Sequence, residues 1–247
     1  MGFKPTVFEV APFRLAAMIK DGAAAAKELV VYVEGDGRGV VRGRVAADPT
    51  PRTAMGFELA VQDPAPTVLY LARIGQFQTG QTGAAYKSFW SNKRLSGEAV
   101  EAAGRAVDQA KARLNSEKIH LIGYSGGGGL AVLLAERRRD VLTLTTVAGL
   151  LDIDWWVREK RFMPLAGSLN PAAQAVRLAH IPQIHFYGVE DAVIPPGMSA
   201  HFRTRAAFSN YRRVAVETDH WNKWPLLWPE LLRQYVLPQR SGAAPAD

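Results

Sequence analysis

The residue types at Ser125, Asp191 and His220 could together perform nucleophilic acyl transfer. A serine hydroxyl is a weak nucleophile unless a base takes its proton, and an imidazole base needs a carboxylate to fix its tautomer. Ser125 stands in Gly123-Tyr124-Ser125-Gly126-Gly127, the spacing G-x-S-x-G. An apolar run (Ile119, Leu121, Ile122) precedes it, and a helical pattern begins at Leu130. A strand, a sharp turn and a helix in that order expose the serine Oγ beside the free N–H groups of a helix start. The N–H of Gly126 is the first candidate donor to a developing oxyanion. A glycine-rich turn after a strand can also be plain packing, or can hold a phosphate. No Gly-Lys-Ser/Thr follows it, and Gly123, Gly126 and Gly129 do not spell G-x-G-x-x-G, so neither nucleotide motif is present.

Five histidines are available as the base: His120, His180, His185, His201 and His220. His120 and His185 fall inside expected strands and read as core or flank residues, while His180 and His201 read as surface residues. His220 follows the last expected strand in Thr-Asp-His-Trp, so the chain order is Ser…Asp…His. The acid candidates are Glu190, Asp191 and Asp219. Asp191 takes the position expected of the acid, in the loop after the strand at 184–187. Its alternative is a turn carboxylate that caps a helix start. A second oxyanion donor is expected after the first buried strand, in Glu34-Gly35-Asp36-Gly37, with the N–H of Asp36 preferred and Gly35 next. The Asp36 carboxylate would oppose negative charge there, so it should turn away or pair with a cation, and Arg73 is a candidate partner. Tyr124 and Arg73 are expected beside the substrate.

The elements that must position these groups alternate along the chain. Strands are expected at 6–10, 13–18, 28–34, 67–72, 119–122, 141–147, 184–187 and 213–216. Helices are expected at 57–62, at 96–114 with Ser96 as its cap, from 130 to about 138, at 172–178, over most of 196–208, and at 224–235. Residues 21–26 form a small-residue connector, and 40–56 and 74–90 read as loops. The pattern predicts one α/β domain over 1–240, a mostly parallel sheet with helices on both faces. Its site should lie at the carboxyl ends of the strands. Residues 148–180 break the rhythm and are expected to form a short cap-like insertion over the sheet's edge. Its Trp155, Trp156 and Phe162 would offer an apolar wall to an acyl group, or else pack as ordinary core. Residues 241–247 should be a disordered tail.

Composition narrows the function classes. The chain has 247 residues, 48% hydrophobic, enough for a sizeable core. No run of about 18 apolar residues occurs, so no membrane span is expected. The first residues lack the apolar region of a signal peptide, which leaves the compartment open between cytoplasm and periplasm. Cysteine is absent, which excludes disulfides, thiolate metal sites and cysteine nucleophiles. The net charge of +7 is scattered, with no basic tract or nucleic-acid signature, so no nucleic-acid partner is expected. Neither a metal nor a cofactor is called for by a serine, histidine and aspartate set.

The chain resembles an α/β-hydrolase. The runs Tyr32-Val-Glu-Gly-Asp-Gly37, Asp48-Pro-Thr-Pro51, Leu69-Tyr-Leu-Ala-Arg73, Gly167-Ser-Leu-Asn-Pro171 and Ile181-Pro-Gln-Ile-His185 are similar to a little-characterised group of bacterial α/β-hydrolases. The resemblance covers most of 30–224 and implies Ser125, Asp191 and His220 as the triad. The chain departs from the group at Arg73-Ile-Gly-Gln76, where the group carries Pro-Cys and a second cysteine nearby, often in exported proteins. The expected function is a cofactor-free serine hydrolase acting on small-molecule carboxylic esters. Peptide, thioester and lactone substrates use the same triad, and a non-catalytic binding protein on the same fold is the rival class.

Overall fold

Aliphatic and β-branched runs form the strands here because both sheet faces are covered. The computed structural model describes residues 2–22, 27–81 and 83–242. In chain order the elements are β1 (Phe3–Val10), β2 (Phe13–Asp21), β3 (Glu28–Val33), the ribbon β4 (Val40–Val41) and β5 (Arg44–Val45), α1 (Met55–Ala60) and β6 (Thr67–Leu71). Next come α2 (Gly97–Arg113), β7 (Lys118–Tyr124), α3 (Gly126–Ala135), β8 (Val141–Val147) and α4 (Ile153–Lys160). The chain closes with β9 (Gln183–Gly188), α5 (Gly197–Arg203), β10 (Tyr211–Val216), α6 (Trp224–Leu231) and α7 (Leu237–Arg240).

Eight strands form one sheet in the order β1-β2-β6-β3-β7-β8-β9-β10. β1 with β2 and β2 with β6 are antiparallel, and every other neighbouring pair is parallel. Register then decides what meets at one edge. Val33 is level with Leu71 and Gly123, Gly123 with Thr146, Val147 with Phe186, and Gly188 with Val216. The segments that follow β3, β6, β7, β9 and β10 therefore leave the sheet on the same side.

The period-2 alternation of the strands divides the core. Leu29, Val31 and Val33 of β3 join one cluster with α2 and α3, while Val30 and Tyr32 join another with α1 and α6. α3 is buried at every position, consistent with a sequence that is apolar all round. α2 carries an apolar stripe and is capped by the Ser96 side chain, which accepts from the Ala99 N–H.

Several expectations change. The first two strands are longer than their sequence signal, because an antiparallel hairpin extends pairing through Pro5 and Lys20. A short ribbon and the start of α1 fall inside the expected 40–56 loop, and 74–90 contains two 3₁₀ turns, Gln76–Gln78 and Ala84–Trp90. The final helix breaks at 232, where a π turn, Leu232–Val236, precedes α7. Residues 148–180 do not cap the sheet's edge. Leu150, Ile153, Trp156, Ala172, Ala175 and Leu178 are buried in the core cluster of α2 and α3, so the segment is the crossover that parallel β8 and β9 require. The connector residues 23–26 and the tail residues 243–247 lie outside the described residues. No helix among the described residues is long and apolar enough to cross a membrane.

Trp228 joins α6 to the sheet. It is fully buried, its ring centroid lies 6.3 Å from that of Tyr32 and 5.7 Å from that of Phe186, and its Nε1–H donates to the Tyr32 hydroxyl at 3.3 Å. Trp228→Ala should cost about 3–5 kcal/mol in urea unfolding. A loss under about 1 kcal/mol would mean that α6 is not held by this contact.

Candidate active site

Ser125 follows β7 directly, with φ 53° and ψ −123°, a conformation that residues with side chains rarely adopt. Its backbone is over-determined. The Ser125 N–H donates to the Val147 carbonyl at 2.9 Å, and the Ser125 carbonyl accepts from Gly128 N–H at 2.9 Å and Leu150 N–H at 3.0 Å. Helix α3 then approaches the end of β3 so closely that a Cβ on Gly127 would sit 2.4 Å from the carbonyl oxygens of Val33 and Glu34. Each glycine in a helix costs roughly 1 kcal/mol relative to alanine. Contact this close to a neighbouring backbone explains why they are tolerated.

His220 lies in the turn after β10. Its Nε2 is 3.0 Å from Ser125 Oγ and its Nδ1 is 2.8 Å from Asp191 Oδ2. The second Asp191 oxygen accepts from the N–H groups of Val193 (2.8 Å) and Ile194 (2.7 Å), so the buried carboxylate is fixed at both ends. Glu190 is exposed and points elsewhere. Asp219 turns its carboxylate to the N–H groups of Trp221 and Asn222, which hold it below the usual carboxylate range. The other histidines stand apart. His120 bonds Thr143 and Glu28, and buried His185 bonds Thr146, desolvation pushing its pKa down to about 3. His180 is exposed, and His201 pairs with Asp152.

The loop after β3 folds over the serine. A Cβ on Gly35 would lie 3.3 Å from the Ser125 Cβ. The N–H groups of Asp36 and Gly126 take no hydrogen-bond partner among the described residues. The Gly35 N–H is occupied by its neighbour's carboxylate, Glu34 Oε1, at 2.8 Å, so Gly35 is not a free donor. The Asp36 side chain does pair with Arg73 (3.0 Å), and also with Arg94 (2.9 Å), which nothing local in the sequence signals. Burial works to raise the Asp36 pKa, but the Arg94 and Arg73 charges outweigh it and hold the carboxyl below its ordinary value. The carboxylate lies against Gly126, where a Cβ would come within 2.1 Å of it.

The remaining expected residues are placed differently. Tyr124 is buried, and its hydroxyl donates to the His220 carbonyl at 2.7 Å and so holds the backbone at His220. Arg73 is 7% exposed, with its guanidinium on Asp36 and the Arg94 carbonyl. Trp156 is buried and donates to the Val193 carbonyl at 2.8 Å, Trp155 stacks on His201, and Phe162 packs edge-on against Trp156. They brace the segment after Asp191. The aromatic ring that meets the base from outside is Trp221, 57% exposed with its centroid 4.6 Å from that of His220. The sequence places it next to His220, which was the available signal. Among the described residues, no group of three or more histidines, aspartates or glutamates could hold a metal ion.

No family model matches the chain, and no curated protein matches it. Solved structures do. Est1E from Butyrivibrio proteoclasticus superposes with a TM-score of 0.70 at 13% identity, over 96% of this chain and 99% of that one. An esterase from Pyrococcus furiosus superposes at 0.63 and 13% identity, over 95% and 91%. The acylaminoacyl peptidase from Pyrococcus horikoshii superposes at 0.68 and 12% identity, over 95% of this chain and 42% of that one. The chain has the α/β-hydrolase fold.

Glu34 underlies the loop. It is buried and accepts from Gly35 N–H, Gly56 N–H and Tyr70 OH. Burial raises its pKa from 4.5 to about 7 despite those bonds. The folded chain therefore holds this proton more tightly than the unfolded chain. Stability should fall as pH rises from about 4.5 to about 7, by roughly 3 kcal/mol from this group. Buried Glu136, also raised to about 7, adds to the trend. Urea unfolding across that range should give a shallower pH slope for Glu34→Gln than for the wild type, and an unchanged slope would contradict this account.

Proposed function

We propose that the chain is a serine hydrolase that cleaves carboxylic esters of small molecules through an acyl-enzyme. The observation that carries this reading is the unbroken hydrogen-bonded path from Ser125 Oγ through His220 to Asp191, at 3.0 and 2.8 Å, beginning on a strained serine backbone. Esterases and a peptidase among the structural neighbours agree with it.

The steps follow from the geometry. Ser125 Oγ attacks the acyl carbon as its proton passes to His220 Nε2. Asp191 accepts from Nδ1–H and stabilises the imidazolium. The carbonyl oxygen becomes an oxyanion facing the free N–H groups of Gly126 and Asp36. As the tetrahedral adduct collapses, the ester C–O bond breaks and Nε2–H protonates the leaving alkoxide. Water then attacks the acyl carbon, its proton going to Nε2 and afterwards back to Ser125 Oγ. The residues present supply each of these proton transfers.

Ser125→Ala and His220→Ala should each lower kcat on p-nitrophenyl acetate by a factor on the order of 10⁶, and Asp191→Asn by about 10⁴, while Glu190→Gln stays near wild type. Near-normal turnover by His220→Ala would remove the base assignment. The matching p-nitroanilide should turn over far more slowly than the ester; equal rates would make the chain a peptidase instead.

Trp221 is the aromatic surface we assign to the substrate's apolar part, because it is exposed and touches His220. Trp221→Ala should change the preferred acyl length across a p-nitrophenyl ester series, each methylene being worth roughly 1–3 kcal/mol in an apolar pocket. Trp156→Ala should lower stability and leave that preference alone. The reverse outcome would return the acyl wall to the 148–180 segment.

A further inference from the structure

Gln76 lies outside the triad, is buried, and uses both ends of its side-chain amide. Its Oε1 accepts from the Arg73 N–H at 3.0 Å, and its Nε2 donates to the Gly35 carbonyl at 3.0 Å. A backbone donor on one side and a backbone acceptor on the other fix which way the amide faces. The Gly35 carbonyl belongs to the same peptide plane as the Asp36 N–H. That peptide bond is trans, so its C=O and N–H point in opposite directions. Whatever holds the carbonyl therefore aims the N–H.

The need for such a hold is clear from the loop. Gly35 and Gly37, the latter at φ 60°, flank Asp36, and a glycine on the N-terminal side of the Gly35–Asp36 peptide leaves its ψ little restrained by sterics. An oxyanion donor must stay within about 0.5 Å of its place to be effective. We propose that Gln76 is the positioning residue of the oxyanion hole. It turns the Gly35–Asp36 peptide so that the Asp36 N–H faces the reacting oxygen, and the Asp36 carboxylate, locked between Arg73 and Arg94, is the second brace. This rests on the serine-hydrolase reading of the site.

The test compares wild type, Gln76→Met and Gln76→Glu on p-nitrophenyl acetate, with phenylboronic acid as a probe that forms an anionic tetrahedral adduct on a serine. Gln76→Met removes the donor at similar size. It should lower kcat about 10²-fold with KM within about 3-fold, and affinity for the boronic acid should fall in step with kcat. A residue that only supports the fold would not move those two together. Should Gln76→Met fail to fold, Gln76→Glu decides. Its protonated acid can still donate to the Gly35 carbonyl and its carboxylate cannot, so its kcat relative to wild type should drop as the introduced carboxyl ionises, within about pH 4 to about pH 9. Folded Gln76→Met within about 3-fold of wild type in kcat, or a pH-independent ratio for Gln76→Glu, overturns the proposal. A wild type that neither hydrolyses the ester nor reacts at Ser125 overturns the underlying reading and this inference with it.

Discussion

A serine at φ 53° cannot hold itself there, and the surrounding structure is arranged around that constraint. Three backbone hydrogen bonds pin Ser125: one to Val147 at the end of β8, one from Gly128 in the first turn of α3 and one from Leu150 in the segment after β8. The glycines after it let α3 lie almost in contact with the end of β3. That contact brings the β3 loop over the serine and sets two N–H groups without a partner among the described residues beside its hydroxyl. The parallel strands beyond β8 then deliver Asp191 and His220 to the same edge. Backbone strain, helix position and the meeting of three distant side chains are thus one geometric arrangement.

Charge is managed at the same place. The proposed oxyanion site contains two carboxylates within three residues, Glu34 and Asp36. Each is neutralised differently. Glu34 is sealed among two backbone donors and Tyr70, and burial brings its pKa to about 7. Asp36 stays ionised between two guanidinium groups, and this cluster carries one net positive charge. At low local dielectric an unpaired carboxylate beside Gly126 would oppose the proposed chemistry by several kcal/mol, so under that proposal the arginines serve reactivity as well as folding.

Much of this was legible in the sequence. The G-x-S-x-G turn, the two carboxyl-edge loops and the alternation of strand and helix signals each arise from local chemistry, and they located the serine, acid and base positions that the structure brings together. The partner Arg73 for Asp36 was legible too, because both leave neighbouring strands. What escaped depends on contacts between segments far apart in the chain. Arg94 reaches Asp36 from the turn before α2, and Gln76 reaches Gly35 from a turn whose sequence looks like plain loop. Tyr124 occupies the variable position of the motif, yet its side chain is buried and holds the His220 carbonyl. The tryptophans of 148–180 were ambiguous for a physical reason. An apolar ring among charges can face either a ligand or a helix, and here Trp156 packs inside while Trp155 lies on His201.

Under the proposed function, His220 and the backbone turn make Ser125 a nucleophile. Covalent labelling by a fluorophosphonate, located by peptide mass spectrometry, tests it without knowledge of the natural substrate. One adduct is expected, on Ser125, formed rapidly in the wild type, absent in Ser125→Ala and slowed by several orders of magnitude in folded His220→Ala. No adduct on the folded wild type, or labelling equally fast without His220, would contradict it.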